Sequence, residues 1–221
     1  MPNPAYQVKL QTVCIGGSDY VIRSLLDLQQ YADGNGAAAL MGISPASWSL
    51  FGHLWPSARV LALCMQTYAL EGKRILEIGA GLALASLVVH SRQGDMTVSD
   101  WHPLSESFLN ANLLLNHMLP MPYETGNWES SNPALGQFDL IIGSDVLYER
   151  QQPGQLAQFI NLHSKAEAEI IIVDPDRGNR VRFCREMSDV GFGFTQRRAA
   201  SIMENGDAYK GCFLTFNRLP I

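Results

Sequence analysis

The chain has 221 residues, of which 47% are hydrophobic and 17% charged, and its mean hydropathy is −0.01; that composition buries a full core and excludes intrinsic disorder. Sixteen Lys and Arg against 21 Asp and Glu leave a net charge of −5, with no dense basic cluster to neutralise a run of phosphates, so nucleic acid is not the expected partner. Nineteen glycines and eleven prolines follow no triplet repeat, which excludes a collagen. Two alternating stretches, 6–15 and 19–28, flank Gly16-Gly17-Ser18 and predict an N-terminal β-hairpin. Residues 31–51 are rich in Gly, Ala and Ser and weakly periodic, which predicts a mobile loop with one short helix.

From Trp55 onward helical and strand signals alternate: a helix over 58–70, a strand over 73–79, a helix over 82–91 and a strand over 95–100. Pro103 starts a helix that runs to His117, a short strand follows over 122–126, and FDLIIGSD (138–145) is the unbroken apolar run of a strand buried on both faces. A helix (153–164), a strand (169–174) and a helix (179–190) come next. The chain closes with strands over 192–200 and 209–219, joined by a polar loop containing Glu204-Asn205-Gly206-Asp207. This pattern demands an α/β fold, a mostly parallel sheet covered by helices with an antiparallel pair at its end. No polar linker divides the chain, so a single domain is expected, with residues 1–50 as an extension and 51–221 as its body.

Cys14, Cys64, Cys184 and Cys212 lie far apart without a CxxC, and the five histidines form no HxxxH or HExxH pair, so no metal is expected and the cysteines read as scattered buried thiols. The first residues, MPNPAYQVKLQ, lack the basic flank and apolar stretch of a secretory signal, and no run of eighteen apolar residues exists. A cytoplasmic protein free of membranes is the expectation.

In an open parallel sheet ligands bind at the carboxyl ends of the strands. The first such turn, ILEIGAGLALA (75–85), carries Glu77, Gly79 and Gly81, and the glycines allow close approach of backbone to a ligand. A dinucleotide fingerprint would want a third glycine where Leu84 stands, and the Glu77 carboxylate suits a ligand bearing a cation. A tight turn with a solvated Glu77 is the plain alternative. Asp100 ends the next strand 23 residues later, about the offset at which an acid accepts both ribose hydroxyls, although it also suits a helix cap.

Together LWPSA (54–58), ILEIGAGLALA, TVSDWHP (97–103), GNW (126–128) and GSDVLYE (143–149) resemble the seven-stranded S-adenosylmethionine-dependent methyltransferases, specifically the family-16 branch that contains protein lysine methyltransferases, over residues 50–195. DPDR (174–177) is similar to the DPGR of the branch that methylates the electron-transfer flavoprotein β subunit, with Asp176 replacing the family glycine. The resemblance implies a Rossmann-like class I methyltransferase with a seven-stranded, mostly parallel sheet and S-adenosylmethionine as cofactor. It places Glu77, Gly79 and Gly81 around the methionine moiety, Asp100 on the ribose, Trp101, Asn127 and Trp128 around the adenine, and Trp55 near the sulfonium. Ser144 and Asp145 come where the fourth strand meets the reaction centre. Asp145 would orient an incoming lysine ammonium, and Tyr148, three residues on, would face the same side if that turn is helical. The implied function is methyl transfer to a lysine of a partner protein; a small-molecule acceptor, or a catalytically silent nucleoside-binding module, are the rival readings.

Overall fold

The computed structural model describes residues 6–130, 132–149, 152–201 and 206–218, so Glu204 and Asn205 of the closing loop lie outside the described residues. Strands β1 (Val8–Ile15) and β2 (Ser18–Leu25) form the expected hairpin, and Ile15 pairs directly with Ser18. The turn is therefore the two glycines alone, at φ 57 and 87, the left-handed pair that matches the twist of the flanking strands.

Residues 31–51 hold more structure than their weak periodicity predicts: α1 (Ala37–Leu40), α2 (Pro45–Trp48) and a 3-10 turn (Ser49–Gly52). Ser44 caps α2 by accepting the Ser47 amide at 3.2 Å. Trp48 is buried among Tyr6, Tyr31, Phe51 and His102, so aromatic packing rather than helical spacing organises the segment.

Helix α3 (Pro56–Met65) begins with proline in its first turn and ends short of the predicted residue 70. Arg92 covers that end: its guanidinium donates to the carbonyl of Met65, the last residue of α3, and to that of Tyr68 in the turn beyond it. The remaining elements are β3 (Arg74–Ile78), α4 (Leu84–Ser91), β4 (Asp95–Asp100), α5 (Ser105–Leu115), β5 (Tyr123–Thr125), β6 (Phe138–Ser144), α6 (Gln152–His163), β7 (Ser164–Asp174), α7 (Arg180–Asp189), β8 (Phe192–Arg198) and β9 (Cys212–Arg218). Strand β7 starts at Ser164, earlier than predicted, because its polar first half carries no apolar signal before Ile170 yet still pairs with β6, where Lys165 also reaches Asp139 at 2.7 Å.

The seven-stranded sheet runs β5-β4-β3-β6-β7-β9-β8, parallel except that β9 is antiparallel to β7 and β8. Alternation along β3 sends Ile75 into the core shared with α3, α4, α5 and the hairpin, and Leu76 and Ile78 into the core under α6 and α7. The order reverses between β3 and β6, so the crevice of an open α/β sheet falls at the ends of β3, β4 and β6.

The hairpin is fastened through the free edge of β2. Asn112 accepts the Arg23 amide at 2.7 Å, and Asn116 both accepts the Val21 amide and donates to the Val21 carbonyl at 2.8 Å. Two asparagine side chains thus take the place of a third strand. Replacing Asn116 with Ala should cost about 1–3 kcal/mol of unfolding free energy and speed amide exchange at Val21; urea denaturation and hydrogen exchange check both, and unchanged exchange would show that apolar packing alone holds the hairpin.

Candidate active site

A cavity of about 600 Å³ lies at the reversal point, and it brings together Trp55, Gly79, Gly81, Asp100, Trp101, Asn127, Trp128, Ser144, Asp145 and Tyr148. Of the side chains singled out in the sequence, only Glu77 is missing from its walls.

Gly79 and Gly81 adopt φ 56 and 54. A Cβ at Gly81 would lie 2.9 Å from the Phe51 carbonyl oxygen, and one at Gly79 would lie 2.8 Å from Val146 Cγ1. Both positions need glycine for backbone and for space. Asp100, nearly buried, ties this turn to β4, because Oδ2 accepts the Gly81 amide at 2.7 Å and Oδ1 accepts the His102 amide at 2.8 Å. Burial raises its pKa and these amide bonds oppose the rise.

Glu77 is 1% exposed and neither solvated nor turned to the cavity. Its position on β3 shares a face with Ile75, beneath α4, where Oε2 accepts the Ser86 amide at 2.9 Å and the Ser86 hydroxyl. The carboxylate therefore satisfies an orphan donor in the first turn of α4 and braces the glycine turn from behind. Burial pushes its pKa up to about 7 against the Ser86 hydrogen bonds.

The extension supplies walls that sequence reasoning did not assign. Trp101 donates its indole N–H to the Met41 carbonyl and Trp55 donates to Leu50, each at 2.9 Å. Phe51 stacks on His102 with centroids 3.7 Å apart. Burial lowers the His102 pKa to about 4, so the ring is neutral, and its acceptance of the Leu104 amide at Nδ1 places the proton on Nε2. Asn127 accepts the Glu129 amide at 2.9 Å, which fixes the loop that presents Trp128.

Beyond β6 the backbone is irregular, so the helical turn on which a shared facing of Asp145 and Tyr148 is conditional does not form. Asp145 instead takes a left-handed φ of 56, held by its amide donating to the Val173 carbonyl at 2.9 Å. Its Oδ1 accepts from Arg177 Nε at 2.8 Å; the Asp145 side chain is 9% exposed and the arginine 40%. Tyr148, 45% exposed, stands at the rim. A second cleft of about 860 Å³ lies across the same wall. It shares Trp55, Asp145 and Arg177 with the first and adds Pro56, Pro175 and Tyr209, the last bonded to Ser57 at 2.8 Å.

Arg177 is the residue that went unassigned. Its signal was the DPDR motif, which follows β7 just as the other site residues follow their strands. Asp176, in the family's glycine position, has φ 65 and is held by Arg180 and, at 2.7 Å, by Arg198; aspartate tolerates this left-handed backbone better than most residues. Among the described residues no group of three His, Cys, Asp or Glu is placed to hold a metal ion, and no helix is long and apolar enough to cross a membrane.

The family described as "Lysine methyltransferase" matches residues 45–189, a span that runs from α2 to the end of α7 and includes every wall of the cavity contributed by a sheet strand. The chain belongs to this lysine methyltransferase family. It is 28% identical over 167 residues to a calmodulin-lysine N-methyltransferase of Arabidopsis thaliana, covering 70% of this chain and 53% of the relative. It is 31% identical over 104 residues to a histone-arginine methyltransferase of Xenopus laevis, covering 44% of each. The chain thus spans about half the length of these curated relatives. The fold is also that of the 16S rRNA N2 G1207 methyltransferase of T. thermophilus, solved with AdoMet and guanosine: TM-score 0.62 at 12% identity, over 99% of this chain and 52% of that one.

Glu77 makes a stability prediction. With a carboxyl near 7 in the fold against 4.5 in the unfolded chain, the folded state binds more protons between those values, so stability is lost as pH rises through that window and levels off above it. Glu77→Gln removes this slope. The melting temperature of the variant relative to the parent should climb between about pH 5 and about pH 8; a constant difference would mean that Glu77 titrates in the fold as it does in the unfolded chain.

Proposed function

We propose that the chain transfers a methyl group from S-adenosylmethionine to the side-chain amine of a lysine in a partner protein. One observation carries the reading: Asp145 stands in a wall common to two clefts, with the glycine turn and Asp100 on one side and an open surface on the other.

The residues fit the cofactor. About 600 Å³ lies within the roughly 300–1,000 Å³ usual for such ligands, and the left-handed glycines let a ligand approach the backbone. When bound, S-adenosylmethionine supplies a methyl group on a cationic sulfur. Asp100 keeps lone pairs for ribose hydroxyls beyond its two amide bonds. Trp101, Asn127 and Trp128 would surround the adenine, and Trp55 would offer an aromatic face to the sulfonium. Gly79 and Gly81 would border the methionine end, Glu77 would act by bracing their turn, and Ser144 would close the floor at the end of β6.

On the acceptor side, displacement requires alignment, with the nucleophile about 3–3.5 Å from the methyl carbon. Asp145 would attract and orient a lysine ammonium, which must lose its proton before attack. Tyr148 at the rim, with Trp55, Pro56, Pro175 and Tyr209, would form a sleeve for the aliphatic stem. The rim residues Pro56, Gly178 and Lys210 are exposed, which supports a macromolecular acceptor over an enclosed small molecule. The name of the calmodulin-lysine relative supports the same reading. The free cysteines, two of them buried, support a reducing, cytoplasmic setting.

Calorimetric titration tests the cofactor. S-adenosylhomocysteine should bind in the micromolar range, about −8 kcal/mol, and NADH should not; the reverse would overturn the reading. Asp145→Asn, which suits the left-handed backbone, should keep that affinity within a few-fold yet lower methyl transfer into lysate proteins by about 100-fold or more. Loss of cofactor affinity would instead place Asp145 in the cofactor's site.

A further inference from the structure

This inference rests on the methyl-transfer reading. The carboxylate which that reading gives to the acceptor amine already carries a cation, because Arg177 Nε lies 2.8 Å from Asp145 Oδ1. Arg177 lines both clefts, and its side chain is far more exposed than that of Asp145, so the arginine is the partner free to move.

A second carboxylate lies within the same turn. Asp174, the last residue of β7, is fully buried; its Oδ1 accepts Arg177's own backbone amide at 2.8 Å, while its Oδ2 has no hydrogen-bond partner among the described residues. An unpartnered buried carboxylate oxygen is costly and calls for a donor. Burial drives this carboxyl up to about 6, the Asp145 charge adds to the rise, and the charges of Arg180 and Arg177 oppose it. The other polar groups around the turn have partners of their own: Arg180 and Arg198 hold Asp176, and Tyr209 is bonded to Ser57. Arg177 thus ties two carboxylates together: its guanidinium pairs with Asp145 and its backbone amide with Asp174, whose second oxygen is left open.

We propose that Arg177 and Asp174 determine acceptor specificity: the guanidinium sits on Asp145 until a cationic side chain arrives, then moves to the unpartnered oxygen of Asp174 and leaves Asp145 to the incoming ammonium. Each carboxylate then has its own cation. A neutral acceptor of the same shape, an alcohol or an amide, cannot make the exchange, because drawing Arg177 away would strand a largely buried Asp145 charge. The acceptor class selected is a protonated primary amine on a flexible stem.

The Arg177 Nε–H resonance of the full chain, loaded with S-adenosylhomocysteine and assigned by its loss in Arg177→Lys, reports the exchange. n-Butylammonium, the end of a lysine side chain, should shift that resonance saturably, and n-butanol should not. In Asp174→Asn, which keeps an acceptor for the Arg177 amide, the amine-induced shift should disappear with S-adenosylhomocysteine affinity unchanged. Should that variant fail to fold, Arg177→Gln serves: with no internal cation to displace, n-butylammonium should bind about tenfold more tightly, read at the Val146 amide. An Arg177 signal unmoved by the amine, moved equally by butanol, or responding in Asp174→Asn as in the parent overturns the exchange while the methyl-transfer reading stands. Failure of the parent chain to bind S-adenosylhomocysteine would instead sink the reading beneath it.

Discussion

Two buried carboxylates at the ends of neighbouring parallel strands hold the ligand-facing edge of this sheet in shape. Glu77 takes the Ser86 amide and hydroxyl, and Asp100 takes the amides of Gly81 and His102. Burying such groups is unfavourable unless each is hydrogen-bonded, and the available donors are the backbone amides around the glycine turn. Meeting that requirement clamps the turn from behind and from the side, so its left-handed residues cannot relax. The cavity beside it follows from this constraint.

The aromatic residues extend the same logic to the N-terminal extension. Trp55 and Trp101 would each bury an indole N–H if nothing accepted it; both donate to carbonyls of the 41–50 segment. Phe51 then stacks on His102, two residues beyond Asp100. A segment of weak intrinsic propensity becomes a cavity wall because side chains of the sheet body need its carbonyls. Its short helices are a product of docking, not of helical propensity.

Legibility in the sequence followed the kind of force that sets each feature. Period-two and apolar-run signals located the strands, β4 to the residue, and two adjacent glycines located the hairpin turn. Site residues at strand ends were legible because an open parallel sheet collects them there, whatever their individual roles. The polar first half of β7, the stop of α3 at Met65 and the walls contributed by Met41 and Phe51 were not, since each depends on a contact across more than twenty residues. Glu77 shows the limit well: its identity and position were readable, but which way it faced depended on α4 packing over that side of β3.

Asp145 and Asp176 are both non-glycine residues in the left-handed region, at φ 56 and 65, and such positions cost on the order of 1 kcal/mol each unless something offsets them. Glycine at 176 would relieve the strain but remove the carboxylate that gathers Arg180 and Arg198, leaving two more guanidinium groups to compete for Asp145 and Asp174. Glycine at 145 would remove the only carboxylate that borders both clefts among the described residues. The strain is therefore retained where it keeps one cation, Arg177, assigned to the wall between the clefts, and Asp176 in place of a glycine reads as part of that assignment.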